Sequence, residues 1–77
     1  MEIKPVKGMI VLYYPYGDSG MSNAAIVANV WKDNIVDLAV FDEGGIPYNA
    51  GRVPFAHKGN HRASPSFCEP LEKNNGD

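Results

Sequence analysis

The sequence predicts an all-β fold, a small antiparallel barrel of about five short strands. Three observations carry that expectation. Apolar residues gather in short runs rich in β-branched and aromatic types. Turn residues punctuate the chain at close intervals. No stretch keeps a helical apolar period long enough to build a helical core. At 77 residues the chain is long enough for one hydrophobic core and too short for two.

Residues 1–8 hold Pro5 and Gly8 and read as a lead-in arm. Met9 to Tyr14 is an unbroken apolar run stopped by Pro15, and it predicts the first strand. Tyr16 to Asn23 mixes two glycines with Asp18, Ser19 and Asn23 and predicts an exposed loop. Ala24 to Trp31 carries alanines, but Ile26, Val27, Val30 and Trp31 suit a strand better than a helix.

Lys32-Asp33-Asn34 is then a tight polar turn, and Ile35 to Phe41 alternates cleanly. Val36, Leu38 and Val40 are expected to point inward, with Ile35, Asp37, Ala39 and Phe41 on the other face. Asp42-Glu43-Gly44-Gly45 predicts a second hairpin, its glycines supplying positive φ. The return from Ile46 to Phe55 is broken by Pro47, Asn49 and Gly51, so two short pieces with a bend or bulge are expected, and Pro54 places its end at a sheet edge. Ser66 to Glu69, between Pro65 and Pro70, has room for a last short strand. The domain is thus expected over residues 9–70, with a tail at 71–77 that has nothing to pack.

Composition narrows the function. Seven basic against nine acidic side chains give a net charge of −2, which argues against a general polyanion or membrane-surface binder. The single cysteine, Cys68, rules out an intramolecular disulfide and favours a reducing compartment. The longest apolar run falls far short of the ~20 residues a spanning helix needs, so neither a membrane anchor nor a signal peptide is expected.

Several residues resemble a known pattern when taken together: Gly8-Met9-Ile10-Val11-Leu12-Tyr13, Ala24-Ala25-Ile26-Val27 with Val30-Trp31, Val36 to Phe41, a glycine turn, and Val53-Pro54. They resemble a family of small uncharacterised proteins of tailed bacteriophages and prophages whose members look like SH3-like barrels. The resemblance covers about residues 6 to 55 and lies mostly in core-type positions. That family closes with a tryptophan-rich strand followed by proline, whereas Ser66-Phe67-Cys68-Glu69-Pro70 stands in that place here. The resemblance implies a viral origin, a place in the virion or the host cytoplasm, and a non-enzymatic role, with no catalytic residue to carry over.

The chemistry-bearing residues support no enzyme. His57, His61 and Cys68 have the types and spacing of three zinc ligands but lack a fourth, and no cofactor or metal is expected. A hydrolase using Cys68 with His57 or His61 would need an activated thiolate beside an oxyanion-stabilising group, and the sequence supplies neither in recognisable form. Gly17-Asp18-Ser19-Gly20 lacks the lysine and the strand-to-helix setting of a phosphate loop.

Two binding surfaces remain. Tyr13, Tyr14, Tyr16, Trp31, Tyr48, Phe55 and Phe67 are more rings than alternating strands can all point inward, so the remainder either form an exposed patch or pack a small core under the loops. Tyr14, Tyr16 and Trp31, with Arg52 as a polar rim, are the expected contacts for a protein partner, whether a phage structural protein, a host protein or a second copy of the chain. The alternative is an anion site for a nucleotide or single-stranded nucleic acid, as in an anti-defence protein. It would use Arg52, His57, Lys58, His61 and Arg62 in a stretch without acids, while acids collect at Asp33, Asp37, Asp42 and Glu43.

Overall fold

A computed structural model of the chain describes residues 4–17, 21–56 and 66–71. Among them five strands form one antiparallel sheet: β1 (Ile10–Tyr14), β2 (Asn23–Val30), β3 (Ile35–Phe41), β4 (Pro47–Pro54) and β5 (Phe67–Pro70). Their order is β4-β3-β2-β1-β5. The sheet curls into a half-barrel, so the small all-β architecture expected from the sequence is present.

The alternation of β3 fixes the register of the whole. Val36, Leu38 and Val40 are fully buried, while Ile35, Asp37, Ala39 and Phe41 are only partly covered on the opposite face. Val11 on β1, Ala25 and Val27 on β2, Val53 on β4 and Cys68 on β5 join them in one cluster, with Met9, Tyr13 and Ala50 packed against it. Because side chains alternate with a period of two, a slip of one residue in β3 would expose three of these core side chains at once.

Each hairpin turn has a local cause. Between β2 and β3, Asp33 (φ 62°) and Asn34 (φ 60°) are both left-handed, and the Ile35 N–H donates to the Lys32 carbonyl. This is the geometry of a type I′ turn, whose twist matches that of paired strands, and Asp and Asn are the non-glycine residues that tolerate it best. Between β3 and β4, the Gly45 N–H donates to the Asp42 carbonyl at 2.9 Å. The Asp42 carboxylate accepts the Gly44 and Ile46 N–H groups at 2.8 and 2.9 Å. Of the two glycines Gly45 takes the positive φ (83°) and Gly44 does not, and the Asp42 carboxylate holds the turn by its two hydrogen bonds.

The ends of the sheet meet. Beyond β4, Phe55 bridges in parallel to Cys68, and the Ala56 N–H donates to the Cys68 carbonyl at 2.7 Å. At the other end of the chain the lead-in arm is not idle, since the Gly8 N–H donates to the Val27 carbonyl at 2.8 Å.

The strand over Pro47–Pro54 is one element rather than two pieces, and the expected irregularity lies inside it. Val36 pairs with Val53 and Leu38 with Ala50, so Asp37 faces the two residues Gly51 and Arg52. On its other side β3 meets a second irregularity: Val27 pairs with Leu38 and Asn29 with Asp37, leaving Ala28 extra. Both bulges lie against Asp37. β4 ends the sheet order, so Pro54 does stand on an edge strand.

Candidate functional site

Asp37 organises the outer face at the double bulge. A bulge leaves a main-chain donor without its ladder partner. Here the Arg52 N–H donates instead to Asp37 Oδ1 at 2.9 Å. The Trp31 indole and the Asn29 side chain also hydrogen-bond this carboxylate. These bonds, the Arg52 backbone first, together with the Arg52 charge hold the Asp37 carboxyl below the ordinary carboxylate range, against the opposing effect of burial.

The bulge also aims Arg52. Its φ is 57°, a left-handed conformation, and its guanidinium lies 5.1 Å from the centre of the Trp31 ring. That is cation–π distance. Trp31 itself sits just beyond β2, its N–H donating to the Ile35 carbonyl at 2.7 Å, and it remains 45% exposed.

A shallow groove of about 610 Å³ opens beside this pair. Pro47 to Arg52 line it along β4, with Ala28, Trp31, Asp37, Leu38 and Ala39 completing its floor and end. A second hollow of about 310 Å³, lined by Trp31, Lys32, Ile35 and Arg52, also borders the cation–π pair. Tyr48 belongs to the groove wall, and its hydroxyl accepts a hydrogen bond from the Asn23 side chain at 3.0 Å.

Of the residues the sequence put forward for protein binding, Trp31 and Arg52 come together. Tyr14 does not join them. Its half-buried ring stacks on the buried Phe67, centroids 4.7 Å apart and planes 17° from parallel. Tyr16 is 70% exposed but lines neither hollow at the Trp31–Arg52 pair. Of the anion-site residues, Arg52 is placed as above, and His57, Lys58, His61 and Arg62 lie outside the described residues.

Cys68 is fully buried in the core, and its thiol is pushed up to about 12, by burial first and by Glu69 second. Among the described residues no group of three or more His, Cys, Asp and Glu side chains could hold a metal ion. No described helix is long and apolar enough to cross a membrane.

The role of Asp37 was missed in the sequence reading, where it counted as an outward residue of its strand and as one of the acids set apart from the basic stretch. Its signal was present in Gly51-Arg52, a glycine inside a strand opposite an acidic residue of the neighbouring strand.

Fold and site together define a small all-β half-barrel with a polar-anchored groove along one edge strand. No protein-family model, no curated protein and no solved structure matches the chain.

Proposed function

We propose that this protein is a non-enzymatic protein-binding module whose partner docks in the groove along β4, with Trp31 and Arg52 as its anchors. The observation that carries this reading is Arg52. A left-handed backbone costs a non-glycine residue roughly 1–2 kcal/mol. Yet an arginine stands there, pinned through its N–H by Asp37 and laid over Trp31 at the end of an open groove. Strain of this kind, held in place by neighbours, points to use of the side chain. Trp and Arg are also the types that dominate binding energy at protein interfaces.

The state of Cys68 supports the non-enzymatic part. A buried thiol with a raised pKa opposes the thiolate that a Cys/His hydrolase would need. The resemblance to small phage proteins supports a partner among virion or host proteins. Tyr16, exposed next to β1, would then lie outside the main contact.

The sole tryptophan makes the test direct, because emission from Trp31 reports the groove. The full chain is titrated with pools of random heptapeptides, with nucleotides and with a single-stranded oligonucleotide. The expected result is a shift of Trp31 emission with peptides that Arg52→Gly removes. A response to the oligonucleotide alone, falling steeply with salt, would overturn the reading in favour of the anion site.

A further inference from the structure

The groove crosses the sheet face and reaches β4, which among the described residues is an open edge along Pro47–Arg52. Among the described residues β4 has a hydrogen-bonded neighbour only on its β3 side along Pro47–Arg52, and hydrogen-bond alternation tells which of its main-chain groups face away. The Asp42 N–H donates to the Ile46 carbonyl at 3.1 Å, which makes that pair a bonded one. Counting on along the register, Val40 with Tyr48 and Leu38 with Ala50 are bonded pairs, while Phe41 with Pro47 and Ala39 with Asn49 are not. The Asn49 N–H and C=O and the Pro47 C=O therefore point to the open edge. Pro47 fits this pattern, since its missing N–H would have faced outward too.

The edge is guarded at both ends, by Pro47 and by the bulge at Gly51–Arg52, so it does not invite indiscriminate strand pairing. What remains is a short window centred on Asn49, with a cation at one end. The Asp37 carboxylate is engaged by the Arg52 N–H, the Trp31 indole and Asn29, and the Arg52 guanidinium, laid over the Trp31 ring, is the least of the influences on it. The acids Asp42 and Glu43 lie at the opposite end, before Pro47. An occupant must supply main-chain donors and acceptors to the edge and negative charge to the Arg52 end.

We infer that β4 receives an extended segment of a partner protein by strand addition at Asn49, with an Asp or Glu of that segment pairing with the Arg52 guanidinium. The inference rests on the protein-binding reading above and adds the chemistry of the partner. Main-chain bonds would give such a complex its affinity, and the Arg52 contact would set register and direction.

The test selects a displayed heptapeptide library against the full chain and synthesises the enriched peptide. Enrichment of an acidic residue at one fixed position is expected, and so is a shift of the Asn49 amide in a nitrogen–proton correlation spectrum. N-methylation at one alternate set of peptide amides should weaken binding about tenfold, the loss of one well-made hydrogen bond, and the other set should be indifferent. Arg52→Gln should weaken the acidic peptide more than its amide counterpart. A peptide that moves the Trp31 indole signal but not the Asn49 amide, and ignores N-methylation, would keep the binding module and overturn strand addition. No enrichment at the groove would overturn both. Self-association of the free chain abolished by Asn49→Pro would give the edge to a second copy and likewise overturn this inference.

Discussion

Among the described non-glycine residues three have positive φ, and the contrast between them is informative: Asp33, Asn34 and Arg52. The first two are the residue types that a type I′ turn selects for its own sake, whereas arginine has no conformational advantage in the left-handed region. Arg52→Gly should relieve roughly 1–2 kcal/mol of backbone strain and forfeit roughly 0.5–1 kcal/mol of exposed cation–π contact. Its melting temperature should therefore equal or exceed that of the natural chain, while the Trp31 emission response to peptide disappears; calorimetry and fluorescence on one sample measure both. Asp37 gives a pH signature. Its folded pKa lies below the unfolded one, so its ionised form contributes stability that is present above about pH 4 and is lost as pH falls through the lower folded value. Asp37→Asn should melt below the natural chain near neutral pH, with the gap closing as the solution is taken towards about pH 2.

At the scale of elements, β3 is the strand on which the others are aligned, because its core side chains are contacted from both neighbouring strands. Leu38→Ala should cost ~2–5 kcal/mol, a large fraction of the stability of so small a domain, and denaturant titration would measure it. Asp42→Ala removes the acceptor for two turn N–H groups that water can reach, and should cost about 1 kcal/mol without unfolding the chain. The β2–β3 hairpin was legible in the sequence because its evidence is local: a period of two in Ile35 to Phe41, and Asp-Asn where a turn demands positive φ. The first and last strands were legible too, being short apolar runs bounded by proline. The Trp31–Asp37–Arg52 arrangement was not, because it depends on the register of two strand pairs and on two bulges that no single segment encodes. Tyr14 differed from its expectation for the same reason. The sequence reading placed it among the contacts for a protein partner, and the pairing of Tyr14 with Phe67 brings its ring onto that buried ring instead.

At the scale of the molecule, stability depends on the place where the curled sheet turns back on itself. Phe55 and Ala56 extend β4 to reach Cys68 on β5, and Phe55 and Cys68 are both buried in the common core. Opening that junction would uncover one end of the core. Cys68 reports on it chemically, since a thiol pushed up to about 12 by burial, and secondarily by Glu69, stays protonated in the folded chain when the unfolded chain has already lost its proton. The sign follows from linkage: a group whose pKa is raised by folding adds stability that is intact below the unfolded value and is lost progressively as pH climbs towards the folded one. From about pH 8.5 upward this group alone should remove up to about 1.4 kcal/mol per pH unit. Tyr13, raised chiefly by burial against the same core, acts in the same direction at higher pH. Melting temperature should accordingly fall between about pH 8.5 and pH 10, and Cys68→Ala, though less stable at neutral pH through loss of packing, should show a shallower fall. In the natural chain at about pH 8.5, a disulfide thiol reagent should label Cys68 only as fast as the junction opens, and denaturant should accelerate labelling in step with unfolding. Rapid labelling under native conditions, or an alkaline fall as steep in Cys68→Ala as in the natural chain, would show that the junction between β4 and β5 does not close the core.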